Sequence, residues 1–159
     1  MREITYTHHD KSKWDDGPWM NEPDKIQWQD KATGLPCLAV RNCHAGHWCG
    51  YVGVDKDHPF FEEDYDNTEL EVHGGLTFAA KCDEPEEGFG DCDTVCHIVD
   101  KGEDDNIWWF GFDCAHLWDM CPGRVGKHFN EDKSVYKTIA FVRKECATLA
   151  HQLKNTGVA

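Results

Sequence analysis

The sequence has no apolar run long enough to span a bilayer, and residues 1–9 contain no apolar stretch of the kind a signal peptide needs. Positive charge is also scarce, because 16 Lys and Arg stand against 30 Asp and Glu, which gives a net charge of −14. Such a charge repels phosphate backbones and anionic lipid surfaces. We therefore expect a cytoplasmic protein that binds neither nucleic acid nor membranes. The acidic surface either serves solubility alone or attracts a basic partner.

Common catalytic signatures are missing as well. The chain has no Gly-x4-Gly-Lys-Ser/Thr phosphate loop, no Gly-x-Ser-x-Gly elbow and no His-Glu-x-x-His metal motif. Whether the protein is an enzyme therefore stays open. What the chain does contain is typical of one globular domain over residues 1–159, since 40% of its residues are apolar and seven are tryptophan.

Hydrophobic periodicity predicts an α+β fold. We expect an ordered N-terminal arm over residues 1–25, held by Trp14 and Trp19, and a long loop excursion over residues 81–105. The patterns typical of strands lie at residues 26–29, 36–41, 47–54, 70–78, 96–99 and 106–112. The last of these strands is apolar on both alternating faces, which predicts a central position in a mostly antiparallel sheet.

The C-terminal segment gives the clearest helical pattern. Residues 134–154 carry one apolar stripe, with Ser134 as the expected N-cap. The stripe consists of Val135, Ile139, Val142, Cys146, Leu149 and Leu153. We expect this amphipathic helix to pack on one face of the sheet.

The candidate working surface lies where two strand-like segments end, at residues 72–77 and 111–119. Asp113 follows an apolar strand, and a buried carboxylate needs a cation, a metal or several donors. His73 comes close to it if the two strands are neighbours, and the glycines beside His73 leave room for a ligand. The predicted ligand-binding residues are His73, Gly74, Gly75, Thr77, Asp113, Cys114 and His116.

The same cluster has three other interpretations. An Asp–His pair can simply hold loop ends together without binding anything. A zinc or manganese site would use His73, Asp113, His116 and Asp119, a mixed N/O set that would support a metal-dependent hydrolase. A nucleophilic pair of Cys114 and His73 is the third, although buried cysteines are usually inert.

Nine cysteines, an odd number, in a chain expected in the cytoplasm predict reduced thiols and no disulfide framework. Two groups have spacings that could hold a structural zinc ion, although neither has paired Cys-x2-Cys halves. The first group is Cys82, Cys92, Cys96 and His97, and the second is Cys37, Cys43 and Cys49 with His44 and His47. The alternative for both groups is ordinary reduced cysteine.

Several runs of the chain, at residues 35–41, 49–54, 72–78 and 108–116, resemble a family of small uncharacterised proteins encoded by tailed phages of actinobacteria. The resemblance covers most of the chain. It implies expression inside an infected bacterial cell and an accessory role, such as capturing or cleaving a nucleotide signal of host defence or blocking a host protein. We therefore expect a binding protein for a small polar ligand or a host protein, with the metal-dependent hydrolase as the alternative.

Overall fold

Six antiparallel strands form one sheet in the computed structural model, which describes residues 1–82, 94–124 and 134–156. The strands are β1 (Ile4–Tyr6), β2 (Lys25–Gln29), β3 (Pro36–Arg41), β4 (Trp48–Val54), β5 (Phe78–Lys81) and β6 (Trp108–Asp113), and the helix α1 is Ile139–Asn155. Their order across the sheet is β1-β2-β3-β4-β6-β5. The predicted α+β class, an antiparallel sheet with a C-terminal helix packed on it, is confirmed.

Each face of the sheet carries its own apolar core, because side chains alternate along every strand. The face toward α1 buries Trp28, Ala39, Trp48, Val52, Phe110 and Phe112 of the sheet against Val142, Cys146, Leu149, Ala150 and Leu153 of the helix. The opposite face buries Leu38, Val40, Tyr51 and Trp109 under Val95 and Ile107. Residues on both sides of β6 are therefore buried, as its sequence predicted, and β6 lies inside the sheet between β4 and β5.

The helix begins at Ile139 rather than at residue 134. Thr138 is the N-cap, and its Oγ1 accepts a hydrogen bond from the Phe141 amide at 3.4 Å. Val135, assigned from the sequence to the buried stripe, is instead 59% exposed and forms an isolated parallel bridge with Asp119. The rest of the stripe packs as expected.

The segment at residues 70–78 is not the predicted strand, since only Phe78 belongs to β5. Gly74 and Gly75 adopt left-handed backbone angles with φ of 69° and 82°, and the Gly75 amide donates to Val72 O at 2.9 Å in a turn. Residues 96–99 are not a strand either. Within the predicted 81–105 excursion, Lys81 ends β5, and residues 83–93 lie outside the described residues.

A buried polar network ties the N-terminal arm to the sheet and to the start of α1. The Arg41 side chain is fully buried, and its Nε lies 3.1 Å from Oδ1 of the buried Asp24 carboxylate. Its Cζ lies over the Trp48 ring, 4.4 Å from the ring centroid. Glu22 accepts hydrogen bonds from Tyr136 Oη at 2.5 Å and from the backbone amide of Ile139 at 2.7 Å. Glu22 therefore stabilises a free amide at the helix N-terminus, where negative charge is favoured.

Candidate functional site

The turn at residues 72–77 meets the loop after β6 at one end of the sheet. His73 donates from Nε2 to Asp119 Oδ2 at 2.7 Å, and His116 Nε2 lies 3.3 Å from Asp113 Oδ1. The two imidazole rings are 5.6 Å apart between centroids, edge to face. The two segments predicted to share a site are thus brought together. We call His73, Asp113, His116 and Asp119 the His–Asp cluster.

Asp119 is the buried carboxylate of the cluster, with a side chain 2% exposed. It accepts from His73, from the His116 amide at 3.1 Å and from Lys137 Nζ at 3.2 Å. Burial alone would raise the pKa of Asp119, but these three donors outweigh it and hold the pKa below its usual value. Asp119 therefore stays ionised and fastens the loop after β6 to the turn at residues 72–77.

Asp113 is not the deeply buried carboxylate that the sequence predicted, because its side chain is 29% exposed. The strand β6 ends at this residue, and solvent reaches the end of the sheet. Its donors are the Ala115 amide at 3.0 Å and Thr77 Oγ1 at 3.5 Å. The partners of Asp113 in the structure are thus a backbone amide, a hydroxyl and the neighbouring His116.

Gly74 and Gly75 serve different purposes. A Cβ atom at Gly74 would overlap the imidazole of His116, whereas one at Gly75 would meet no atom within 4 Å. The close approach that a strand glycine signals is therefore made here by a side chain of the protein itself. Gly74 allows His116 to pack over the turn, and Gly75 supplies backbone freedom at an open surface.

Cys114 does not form a nucleophilic pair with His73. Its side chain belongs to the core facing α1, and its relative exposure is 1%. Burial, reinforced by the nearby Asp119 and Cys49, raises the pKa of the Cys114 thiol far above its usual value. A thiol in this state is protonated and shielded, which makes it a core residue rather than a nucleophile.

The predicted zinc or manganese centre is not assembled at the His–Asp cluster. Within residues 1–82, 94–124 and 134–156, the only group of three or more metal-capable side chains whose ligand atoms lie within 4.8 Å of one another is Cys82, Cys96 and His97. The donors of the His–Asp cluster are divided into two separate pairs instead. The metal site at this cluster and the hydrolase alternative stay predictions.

The cysteines also differ from expectation. Cys82 and Cys96 form a disulfide, with Cα atoms 4.6 Å apart, and Cys43 is disulfide-bonded too. The prediction of no disulfide framework is wrong at these positions. At Cys82 and Cys96 the reason is that the fold brings the end of β5 against the segment that starts at residue 94. Free thiols occur at Cys37, Cys49, Cys114, Cys121 and Cys146.

The second zinc group does not form, since Cys37 and Cys49 are free while Cys43 is oxidised. In the first group, Cys92 lies outside the described residues. Burial lowers the pKa of His97, against the opposing effect of Glu103 and Asp105, so its imidazole is neutral near pH 7.

Three exposed apolar residues lie near the His–Asp cluster; the sequence analysis did not single out Leu117 and Trp118, and it assigned Val135 to a buried stripe. Leu117 is 68% exposed, Trp118 is 49% exposed and Val135 is 59% exposed. The Val135 amide donates to Trp118 O at 2.8 Å beside the Asp119–Val135 bridge, so Val135 lies next to the segment that carries Leu117 and Trp118. We call these three residues the apolar loop surface. The available signal was the adjacent Leu117-Trp118 pair between His116 and Asp119.

Comparison with family models, curated proteins and solved structures gives no match to this chain. The resemblance to phage-encoded proteins stays a prediction. No helix in the described part of the chain has both the length and the apolar character needed to cross a membrane.

Proposed function

We propose that this chain is a binding protein whose apolar loop surface engages another protein, one with a basic and partly apolar binding segment. The observation that carries the proposal is the exposure of Leu117 and Trp118 on a loop that the His–Asp cluster fastens, with the exposed Val135 paired to that loop through its backbone. In the setting that the phage resemblance implies, the partner is a host protein in the cytoplasm of the infected cell.

The polar groups of the site favour a binding role over catalysis. Asp119 has three donors, and Asp113 has an amide and a hydroxyl. A general base or nucleophile needs a reactive atom directed at a substrate, whereas the two carboxylates of this cluster accept hydrogen bonds from groups of the protein itself. Their arrangement is that of a clamp for the loop.

A clamped loop is suited to recognition. Side chains held in their bound positions lose little conformational entropy when a partner docks, which raises affinity without new contacts. Trp118 is the expected anchor, because tryptophan is enriched among the residues that dominate binding energy. The His–Asp cluster then contributes by positioning, and its loss weakens binding through loop disorder.

Charge complementarity specifies the partner. A chain of net charge −14 repels acidic proteins and attracts basic ones, which raises the association rate at low ionic strength. Asp113, whose side chain is 29% exposed, provides an acceptor for a lysine or arginine on the same loop as Leu117 and Trp118. We expect affinity to fall as salt rises toward 1 M, where screening acts over only about 3 Å.

The test compares Trp118→Ala with Ile98→Ala, because Ile98 is similarly exposed at 52% but lies in the segment over the opposite sheet face. Proteins retained from host lysate by the wild type are purified, and their affinities are then measured by calorimetry. We expect Trp118→Ala to weaken binding by about 2 kcal/mol or more, roughly 30-fold. Ile98→Ala should bind like wild type.

Equal affinities for wild type and Trp118→Ala would overturn the proposal, as would equal losses in both variants. Binding of a nucleotide or another small polar ligand that survives Trp118→Ala but disappears in His116→Ala would instead support the small-ligand function predicted from the sequence.

A further inference from the structure

We propose that Cys82, Cys96 and His97 form a binding site for a thiophilic divalent metal ion such as zinc. The site can bind the metal only when the Cys82–Cys96 disulfide is reduced. The inference concerns the opposite sheet face from the helix and is independent of the proposed function. It rests on the juxtaposition of these three side chains and on the way the fold fixes them.

The ligand atoms are already near metal-binding spacing. All three lie within 4.8 Å of one another, and Cys82 Sγ is 3.9 Å from His97 Nδ1. Two ligands of a tetrahedral zinc ion, with bonds of about 2.0–2.3 Å, stand roughly 3.4–3.8 Å apart. Only small side-chain movements are needed once the two sulfurs are no longer bonded to each other. Two thiolates and one imidazole leave a fourth position for solvent.

The backbone carrying the ligands is held from both sides. Cys82 directly follows β5, the last strand of the sheet. On the other side, Gln27 Oε1 accepts a hydrogen bond from the Ile98 amide at 2.8 Å, and Gln27 Nε2 donates one to Ile98 O at 3.0 Å. The His97 ring packs edge to face on Trp109, with centroids 5.1 Å apart. The arrangement is therefore preorganised and does not depend on the disulfide alone.

The site is open to solvent, and charges of both signs lie near it. Glu103 and Asp105 act on His97 against Lys25 and the Met1 amino group, which itself pairs with Glu103 at 2.9 Å. Cys82, Cys96 and His97 are each partly exposed, so a reductant and a metal ion can reach them. By contrast, the free thiols Cys114 and Cys146 are buried in the core facing α1.

The two states interconvert by balanced chemistry. A dithiol reductant gives two electrons and two protons to the Cys82–Cys96 bond, so the S–S bond breaks, two thiols form and the reductant becomes a disulfide. The metal ion then displaces the two thiol protons, which leave to solvent, and binds two thiolates with the neutral His97. In a reducing cytoplasm the metal-binding state is accessible, and in an oxidising compartment the disulfide persists.

The experiment titrates Co²⁺ into the full-length protein under anaerobic conditions, once oxidised and once reduced with a phosphine that is then removed. We expect the reduced protein to bind one equivalent with thiolate-to-cobalt charge-transfer absorption and release of two protons, and the oxidised protein to show no such absorption. Zinc added afterwards should displace the cobalt and abolish the absorption.

The variants Cys96→Ser and His97→Gln should bind Co²⁺ at least about 100-fold more weakly, since losing even an outer-shell partner costs about 10–100-fold. Cys49→Ser, at a free thiol outside the group, is the control and should bind like wild type. Circular dichroism of each reduced protein checks that it is folded, and His97→Gln keeps the test valid if Cys96→Ser unfolds.

Folded, reduced wild type without charge-transfer absorption would overturn the proposal. Equal cobalt binding by the oxidised and the reduced protein would overturn it too. The same holds if Cys49→Ser loses the charge-transfer absorption while His97→Gln retains it.

Discussion

Substituting Asp24 by Asn tests the buried network that joins the N-terminal arm to the sheet. The Asp24 carboxylate is fully buried and is 2.8 Å from Lys11 Nζ and 3.1 Å from Arg41 Nε. It also accepts from the amides of His8 and His9 at 2.7 and 2.8 Å. Asparagine keeps the shape and one oxygen but removes the charge that compensates two buried cations.

The expected loss is large because the partners cannot reach solvent in the folded state. Arg41 is 0% exposed and Lys11 is 8% exposed. Removing one member of a buried ion pair costs about 3–5 kcal/mol, and we expect the lower end because Asn still accepts one hydrogen bond. At about 2–4 °C per kcal/mol for a domain of this size, the melting temperature should fall by about 6–12 °C.

Urea unfolding followed by tryptophan fluorescence measures the change, with Trp48 against Arg41 as a reporter inside the network. The control is Asp57→Asn, because Asp57 pairs with Lys56 at 3.2 Å on the surface and such pairs contribute about 0–1 kcal/mol. A free energy of unfolding for Asp24→Asn within 1 kcal/mol of wild type would refute the reasoning.

The ionised Asp24 carboxylate should also make the free energy of unfolding depend on pH. Burial acts to raise the pKa of Asp24, but hydrogen bonds from His9, Lys11 and His8 outweigh it and the pKa is lowered. A group with a lowered folded-state pKa stabilises the protein above its unfolded pKa of about 3.9, and this contribution disappears as the pH falls through the folded pKa. Below about pH 4 the wild type should therefore lose stability more steeply than Asp24→Asn.

Two further predictions concern the helix and the turn. Leu149→Asp places a charge at a fully buried helix position and should unfold the domain. Thr148→Asp, at the exposed neighbouring position, should leave circular dichroism and the melting temperature close to wild type. Similar melting temperatures for both variants would contradict the packing of α1. Gly74→Ala should lower the melting temperature more than Gly75→Ala, because both have positive φ but only the Cβ at residue 74 overlaps His116. Equal shifts in calorimetry would mean that backbone strain alone decides.

Local patterns were sufficient where neighbours in sequence set the burial. The strand β3 has the predicted bounds, and the apolar stripe of α1 from Val142 to Leu153 packs as its spacing indicates. The pattern failed at Val135 because a periodic apolar residue does not reveal where a helix begins. That boundary depends on Thr138 and on Glu22, which comes from the other end of the chain.

For the candidate site, the sequence indicated which segments meet but not which carboxylate is buried. Asp113 follows an apolar strand and looked like the buried one, yet Asp119 holds that position because the loop folds back on His73. Sequence spacing also grouped Cys82, Cys96 and His97, while their oxidation state follows from how closely β5 approaches the segment after residue 93.

By itself, the sequence determined the α+β class, the two-sided burial of β6 and the apolar face of α1, because each follows from the alternation or helical spacing of neighbouring residues. Only the tertiary structure decided the ion network at Asp24, the pairing within the His–Asp cluster, the Cys82–Cys96 disulfide and the exposure of Trp118. Each of these depends on distances between residues far apart in the chain, and such distances are fixed by how the whole sheet and its loops pack.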